Sequence, residues 1–75
     1  MKSYIINSLA QECPLTFVFS NGEKMDFLKV TNELKDNDNL IELLPTRSKV
    51  SYLVNLNYVI FIKPLEIGKA QVIRY

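Results

Sequence analysis

The apolar residues near the start of the chain recur at helical spacing. They are Ile5, Ile6, Leu9 and Cys13. This spacing predicts an amphipathic helix, Ser3 is available as its N-cap, and Pro14 disfavours helical backbone at the residue before it. We therefore expect a helix over about residues 3–12.

The next apolar run alternates as a half-buried strand does. Over residues 15–20, Leu15, Phe17 and Phe19 fall on one face. Asn21-Gly22 follows at once, and this dipeptide is a strong signal for a hairpin turn. The pattern predicts a first strand over 15–20 and a hairpin that leads into the second strand.

The second strand, predicted over residues 24–31, changes phase along its length. Met25 and Phe27 keep one phase of alternation, whereas Leu28 and Val30 adopt the other. A slip of one residue moves side chains to the opposite face of a sheet, and a β-bulge or a sharp bend accommodates it. We expect this strand to be strongly curved.

Three more strands are predicted in the second half of the chain. They cover about residues 40–44, 49–54 and 58–63. The polar stretch before them is a loop with an exposed turn at 36–39, for which a short helical turn over 32–35 is an alternative. Residues 70–75 form a last strand or a tail. The chain is thus predicted to be one mainly β domain over 1–75, in which an N-terminal helix precedes a strongly bent five-stranded antiparallel barrel.

The fifth strand is apolar at every position from Tyr58 to Ile62, where a half-exposed antiparallel strand would alternate. A chain this short buries only about 60% of its unfolded surface and has little material to cover both faces. Pairing with other copies protects apolar edges, and pairing through two different strands closes a ring where the rotation allows. The expected interface residues are Val50, Tyr52, Leu53, Val54, Tyr58, Val59, Ile60, Phe61 and Ile62.

Composition limits the kinds of site. The formal net charge of +1 is too small for strong non-specific attachment to nucleic acid, so any such contact must be local. The chain has no histidine and a single cysteine, Cys13, which excludes an intrachain disulfide and disfavours a metal site. Its longest apolar run is far shorter than the roughly 20 residues of a membrane span. We expect a cytoplasmic protein with no membrane contact and no metal.

Catalysis and cofactor binding are not expected. Cys13 has no histidine base, and its place on the apolar helix face predicts an inert, buried thiol. Asp36 and Asp38 lie in a polar loop, where neither carboxyl group is expected to have the burial that a general acid needs. The only glycines, Gly22 and Gly68, form no phosphate-binding loop.

Several segments resemble the Sm-like family. Residues 4–9 and 14–25 are similar to the helix, first strand and Asn-Gly turn of the Hfq-type RNA chaperones of bacteria, and residues 54–62 resemble the second Sm motif, with Asn57 at its asparagine. The resemblance implies an SH3-like small barrel, assembled into a homo-oligomeric ring of about five to seven subunits that binds single-stranded RNA without a cofactor. The chain is rich in Asn, Lys, Ile and Tyr, which suits an AT-rich genome such as that of many phages.

The resemblance also implies where RNA binds. Sm-like rings present the loop after the second strand and the loop before the fifth around the pore, and Lys24 matches a basic residue on the distal RNA-binding face of Hfq-type proteins. The candidate RNA-binding residues are Lys24, Asp36, Asn37, Asn39, Asn55, Asn57 and Lys63. Turn formation explains the Asn and Asp residues equally well, and scattered lysines are commonly solvated surface.

The chain departs from the family at positions that contact RNA. Asn55-Leu56 stands where the second Sm motif has Arg-Gly, Val18 stands where Hfq-type proteins offer an aromatic ring, and Phe27 replaces a glycine of the first motif. Two functions stay open, of which Lys24 and the Asn-containing loops favour the first and the departures favour the second. One is an RNA-binding or RNA-chaperone-type module with weak or altered specificity. The alternative is a ring that has lost RNA binding and serves as a protein-interaction or structural adaptor.

Overall fold

The computed structural model describes residues 1–65. Its elements, in chain order, are helix α1 (Lys2–Ala10), strands β1 (Leu15–Phe19), β2 (Lys24–Asn32), β3 (Leu40–Pro45) and β4 (Tyr52–Asn55), a 3-10 turn (Leu56–Tyr58) and strand β5 (Val59–Pro64). An N-terminal helix followed by five antiparallel strands confirms the predicted fold class. The strand or tail predicted over 70–75 lies outside the described residues.

Helix α1 begins earlier than predicted. Met1 occupies the N-cap position and no side chain caps the helix, so the assignment of Ser3 as N-cap is wrong. Ile5 and Leu9, one turn apart, are both buried, and Ile6 packs against the same core. The helix is therefore held by its apolar stripe rather than by its cap.

Helix α1 also ends earlier than predicted, because a Schellman motif terminates it. The backbone N–H of Cys13 donates to the carbonyl of Ser8 at 3.0 Å, and that of Glu12 donates to the carbonyl of Leu9 at 3.1 Å. These two bonds require left-handed backbone at Glu12, whose φ is 62°. Glycine usually fills such a position. Because glutamate fills it here, the sequence pattern did not indicate this helix end.

The first hairpin follows the prediction closely. Strands β1 and β2 pair antiparallel, with Phe17 opposite Met25, and the backbone N–H of Phe19 donates to the carbonyl of Glu23 at 2.9 Å to close the loop. Gly22 has a φ of 91°. A left-handed glycine at the end of a three-residue loop keeps the two strands in register.

Strand β2 contains the predicted irregularity. Its pairing with β3 shifts register between Phe27 and Lys29, and again between Val30 and Asn32. Leu28 is the extra residue at the first shift, and its side chain is 43% exposed, so it does not share a buried face with Val30 as the phase pattern suggested. The predicted bulge is confirmed, and it lies directly after Phe27, at the position where the resemblance had implied a glycine bend.

The five strands form one sheet in the order β4-β3-β2-β1-β5. Strands β4 and β5 are its two edges, and over residues 1–65 they do not pair with each other, so the barrel-like sheet is not closed. Strand β4 starts later than predicted because Ser48 forms a local turn, its Oγ accepting from the N–H of Val50 at 3.0 Å. Val50 therefore lies in the loop before β4.

One apolar core joins the helix to the inner face of the sheet. Its buried residues are Ile5, Leu9, Leu15, Phe17, Phe27, Ile41, Leu43, Val54, Leu56 and Val59. Phe17 and Phe27 form its centre, with ring centroids 4.9 Å apart and an edge-to-face angle of 68°. The inner face of the sheet is thus committed to the core, and the outer face is left for other contacts.

Candidate functional site

The structure brings together the two loops that the resemblance had implied. The backbone N–H of Leu56 donates to the carbonyl of Asn39 at 2.7 Å, which joins the turn before β5 to the loop before β3. Lys2 fixes the same loop from the helix, because its Nζ donates to the carbonyls of Leu34 at 2.9 Å and of Asn37 at 2.6 Å. The loops and the first turn of α1 therefore form one surface.

The backbone of the first loop is tightly specified. Leu34 has a φ of 54°, its N–H donates to Oδ1 of Asn32 at 3.0 Å, and its carbonyl accepts from the N–H of Asn37 at 2.9 Å. Left-handed backbone at Leu34 interrupts any helix. The alternative prediction of a helical turn over 32–35 is wrong, and the turn is closed by residues 34 and 37 instead.

The side-chain oxygens of two candidate residues are occupied within the chain. Oδ1 of Asn37 accepts from the N–H of Asn39 at 2.9 Å, and Oδ1 of Asn55 accepts from the N–H of Asn57 at 2.9 Å as it caps the 3-10 turn. Turn formation therefore accounts for these two asparagines. In the part of the chain that the structure describes, no three His, Cys, Asp or Glu residues are grouped to hold a metal ion.

The loop surface carries mixed charge around a small open cavity of about 370 Å³. The cavity is lined by Met1, Lys2, Ser3, Asp38, Asn39, Leu56 and Asn57. Asp36 and Asp38 are exposed on this surface, whereas the ammonium group of Lys2 is engaged by loop carbonyls. Lys35 is exposed beside Asp36 in the same loop, so these carboxylates are partly balanced and the loop surface is not strongly charged in either direction.

Lys24 and Lys63 lie elsewhere, on the outer face of the sheet. Lys24 is opposite Val18, and Lys63 is opposite Thr16, in the pairings of β2 and β5 with β1. Directly opposed residues of antiparallel strands share a face. The inner neighbours Met25 and Ile62 pack against the core, so both lysines point away from it.

The outer face of β2, β1 and β5 has two rows of three residues. One row is Lys24, Val18 and Phe61, and the other is Asp26, Thr16 and Lys63. The hydroxyl of Thr16 donates to Oδ1 of Asp26 at 2.6 Å. Arg47 lines a shallow cavity together with Lys24 and Asp26. We call these six residues and Arg47 the outer platform.

The expected interface residues divide into two groups. Val54 and Val59 are buried in the chain's own core, and Ile62 packs against it, so the side chains of these three are engaged inside the subunit. The others are large, exposed apolar side chains at the two edges of the sheet and in the adjoining turns: Val50, Tyr52, Leu53, Tyr58, Ile60 and Phe61.

An open apolar groove lies beside the β4 edge, with a volume of about 560 Å³. It is lined by Phe19, Ser20, Asn21, Glu23, Met25, Phe27, Tyr52, Leu53, Val54, Asn55 and Tyr58. The groove is the mouth of the open barrel, because β4 forms one wall and the β1–β2 hairpin the other. Tyr52 and Tyr58, two of the expected interface residues, line it.

The position of Cys13 differs from its prediction, and the contacts of Lys2 and the place of Arg47 were not predicted. Cys13 is exposed and lies beyond the helix, so the expected buried thiol is wrong. The contacts of Lys2 with the loop carbonyls join residues more than thirty positions apart, and no local pattern indicates them. Arg47 was overlooked because it is in a turn whose proximity to Lys24 depends on the pairing of β2 with β3.

Comparisons with known proteins leave the family of this chain open. No helix within residues 1–65 is long and apolar enough to cross a membrane. The sequence was compared with models of protein families and with curated proteins, and neither comparison gave a match.

Proposed function

We propose that the chain is a subunit of an Sm-like homo-oligomeric ring, in which β4 of one copy pairs with β5 of the next. One observation carries the proposal: both edges of the sheet are unpaired within residues 1–65 and both present large apolar side chains. Leu53 on β4 is 63% exposed, and Ile60 on β5 is 59% exposed. Free apolar edges invite strand pairing, and pairing through two different edges generates a ring or a filament.

The two edge strands, β4 and β5, are both short, which supports pairing between them in a single register. Strand β4 has four residues. On β5 the pairing with β1 shifts at Ile60, and Pro64 at the far end has no N–H to donate. The regular part of the β5 edge is therefore about as short as β4. Short edges bounded by a bulge and a proline disfavour open-ended sheet growth.

The mass of the purified protein tests the assembly. Light scattering or native mass spectrometry is expected to give about five to seven times the 8.7 kDa of one chain. Leu53→Lys and Ile60→Lys each place a charge on one edge and are expected to abolish the ring. Leu28→Lys is the matched control, because Leu28 is exposed on the β2 bulge, away from both edges.

Mixing the two edge variants tests the head-to-tail arrangement. Leu53→Lys keeps an intact β5 edge and Ile60→Lys keeps an intact β4 edge, so a mixture is expected to form one-to-one dimers and nothing larger. If β4 paired with β4, Ile60→Lys would instead dimerise by itself. A wild-type protein that stays monomeric at micromolar concentration contradicts the proposal altogether.

We propose further that the ring is a binding module for single-stranded RNA, without catalysis or a cofactor. The exposed lysines of the outer platform, Lys24 and Lys63, support this function. The alternative, a protein-interaction or structural adaptor, is favoured by the loop surface, where two carboxylates are exposed and the oxygens of Asn37 and Asn55 are occupied.

Titration with labelled oligo-U and oligo-A separates the two functions. An RNA-binding ring is expected to bind with an affinity that falls as salt is raised, because phosphate contacts release counterions. Absence of binding even at low salt contradicts the RNA-binding function and leaves the adaptor.

A further inference from the structure

The outer platform combines an exposed aromatic ring with cations on two sides. Phe61 is 49% exposed although it lies in the middle of β5, and its neighbour across the strand pair, Val18, is buried beneath the surrounding side chains. Lys63 is two residues along β5, about 7 Å away, and Lys24 is two strands away, about 10 Å. A flat apolar surface is thus presented between two flexible ammonium groups.

The charge of the outer platform favours an anionic ligand. It holds three cationic side chains, Lys24, Lys63 and Arg47, against the single carboxylate of Asp26. That carboxylate already accepts a short hydrogen bond from Thr16. The loop surface is less positive, because Asp36 and Asp38 are exposed there together with Lys35, and the Nζ of Lys2 is engaged by loop carbonyls. A chain of formal charge +1 therefore keeps a locally positive face.

The outer platform has little with which to read a base or a sugar. The hydroxyl of Thr16 donates to Asp26, the carboxylate of Asp26 can only accept hydrogen bonds, and no Asn or Gln is among the seven residues. Selective recognition of base edges uses side chains that donate and accept in fixed geometry. Stacking on an aromatic ring, by contrast, tolerates every base.

We propose that the outer platform binds single-stranded nucleic acid without regard to base or sugar: bases stack on Phe61, and Lys24 and Lys63 contact the phosphates on either side. This inference rests on the proposed nucleic-acid-binding function and names its surface and its selectivity. It places the aromatic contact on the edge strand β5 and assigns the loop surface no part in binding.

Fluorescence anisotropy with labelled oligonucleotides tests the proposal. Oligo-U, oligo-A and oligo-dT of about 20 nucleotides are expected to bind wild-type protein with affinities that agree within about threefold, because stacking is sequence-tolerant. Phe61→Leu keeps an apolar side chain but removes the aromatic ring. It is expected to weaken the affinity for all three oligonucleotides at least about fivefold. Phe61→Tyr keeps the ring and is expected to restore binding.

The lysines are tested by the dependence of affinity on salt. Lys24→Ala and Lys63→Ala are each expected to reduce the slope of log affinity against log salt concentration, because each removes a phosphate contact. Lys35→Ala removes the same charge from the loop before β3 and is expected to leave the slope unchanged. The mass of every variant is measured in parallel, so that loss of assembly is distinguished from loss of contact.

The outcomes separate this inference from the proposed function. Binding that is unaffected by Phe61→Leu, or a preference of tenfold or more for one base or for RNA over DNA, overturns the outer platform proposal but leaves the RNA-binding ring. Failure of the wild-type ring to bind any of the three oligonucleotides overturns both. The proposal is supported if Phe61→Leu weakens binding while the mass of the oligomer is unchanged, and if Phe61→Tyr binds as the wild-type protein does.

Discussion

Glu12→Gly is expected to stabilise the protein, because Glu12 occupies a backbone conformation that suits glycine. Its φ of 62° is imposed by the Schellman motif that ends α1. Left-handed backbone costs a residue with a Cβ about 1–2 kcal/mol. Glycine avoids this cost but loses about 0.5–1 kcal/mol through the greater freedom of the unfolded chain. The net gain in the free energy of unfolding is about 0.5–1 kcal/mol.

Thermal unfolding measures this gain. For a domain of this size, it raises Tm by about 2–8 °C. Glu12→Ala is the control, since it removes the carboxylate but keeps the Cβ and is expected to gain nothing. All three proteins are compared at one concentration, because assembly makes Tm depend on concentration. If Glu12→Ala stabilises as much as Glu12→Gly, the side-chain charge and not the backbone is responsible, and the reasoning is refuted.

Three further substitutions test contacts that hold the loops and the sheet. Lys2→Met removes the donor to two loop carbonyls, so hydrogen exchange is expected to accelerate at the amides of residues 34–39, whereas Lys35→Met leaves it unchanged. Thr16→Val leaves Asp26 without its buried partner and is expected to lower the free energy of unfolding in urea by about 1–2 kcal/mol; Thr31→Val, the same change at an exposed pair, serves as its control. Asn55→Ala removes the cap of the 3-10 turn and is expected to lower the same quantity by about 1 kcal/mol.

The regular parts of the fold could be predicted because local patterns determine them. The alternation of Leu15, Phe17 and Phe19 and the Asn-Gly turn specify the first hairpin, and the phase slip after Phe27 locates the bulge. Both patterns are read within a few residues. The ends of α1 were missed because a glutamate occupies a position usually filled by glycine, and because no side chain caps the first turn.

The candidate site could be predicted only in part, since its surfaces are made by pairing between distant strands. The two loops were expected to meet, and Leu56 and Asn39 do so. Lys24 and Lys63 lie apart from those loops because of the register in which β2, β1 and β5 pair. No single segment of the sequence indicates that register. Phe61 was assigned to an edge contact by its apolar neighbours, whereas the register places its side chain on the outer face with the lysines.

The proposed assembly and the proposed role of the outer platform reinforce each other. Strand pairing joins β4 and β5 through backbone atoms in the plane of the sheet, so a ring leaves every copy of the outer platform facing solvent. A long single strand can then contact several copies at once, and its affinity exceeds that of one site by a factor of about 10²–10⁴. Leu53→Lys, which separates the subunits and lies at the opposite edge of the sheet from Phe61 of the same chain, is expected to weaken binding of the long oligonucleotides by such a factor and to leave binding of an oligonucleotide of about four nucleotides unchanged. Equal losses for both lengths would mean that the nucleic acid lies across the junction between subunits and not on each outer platform.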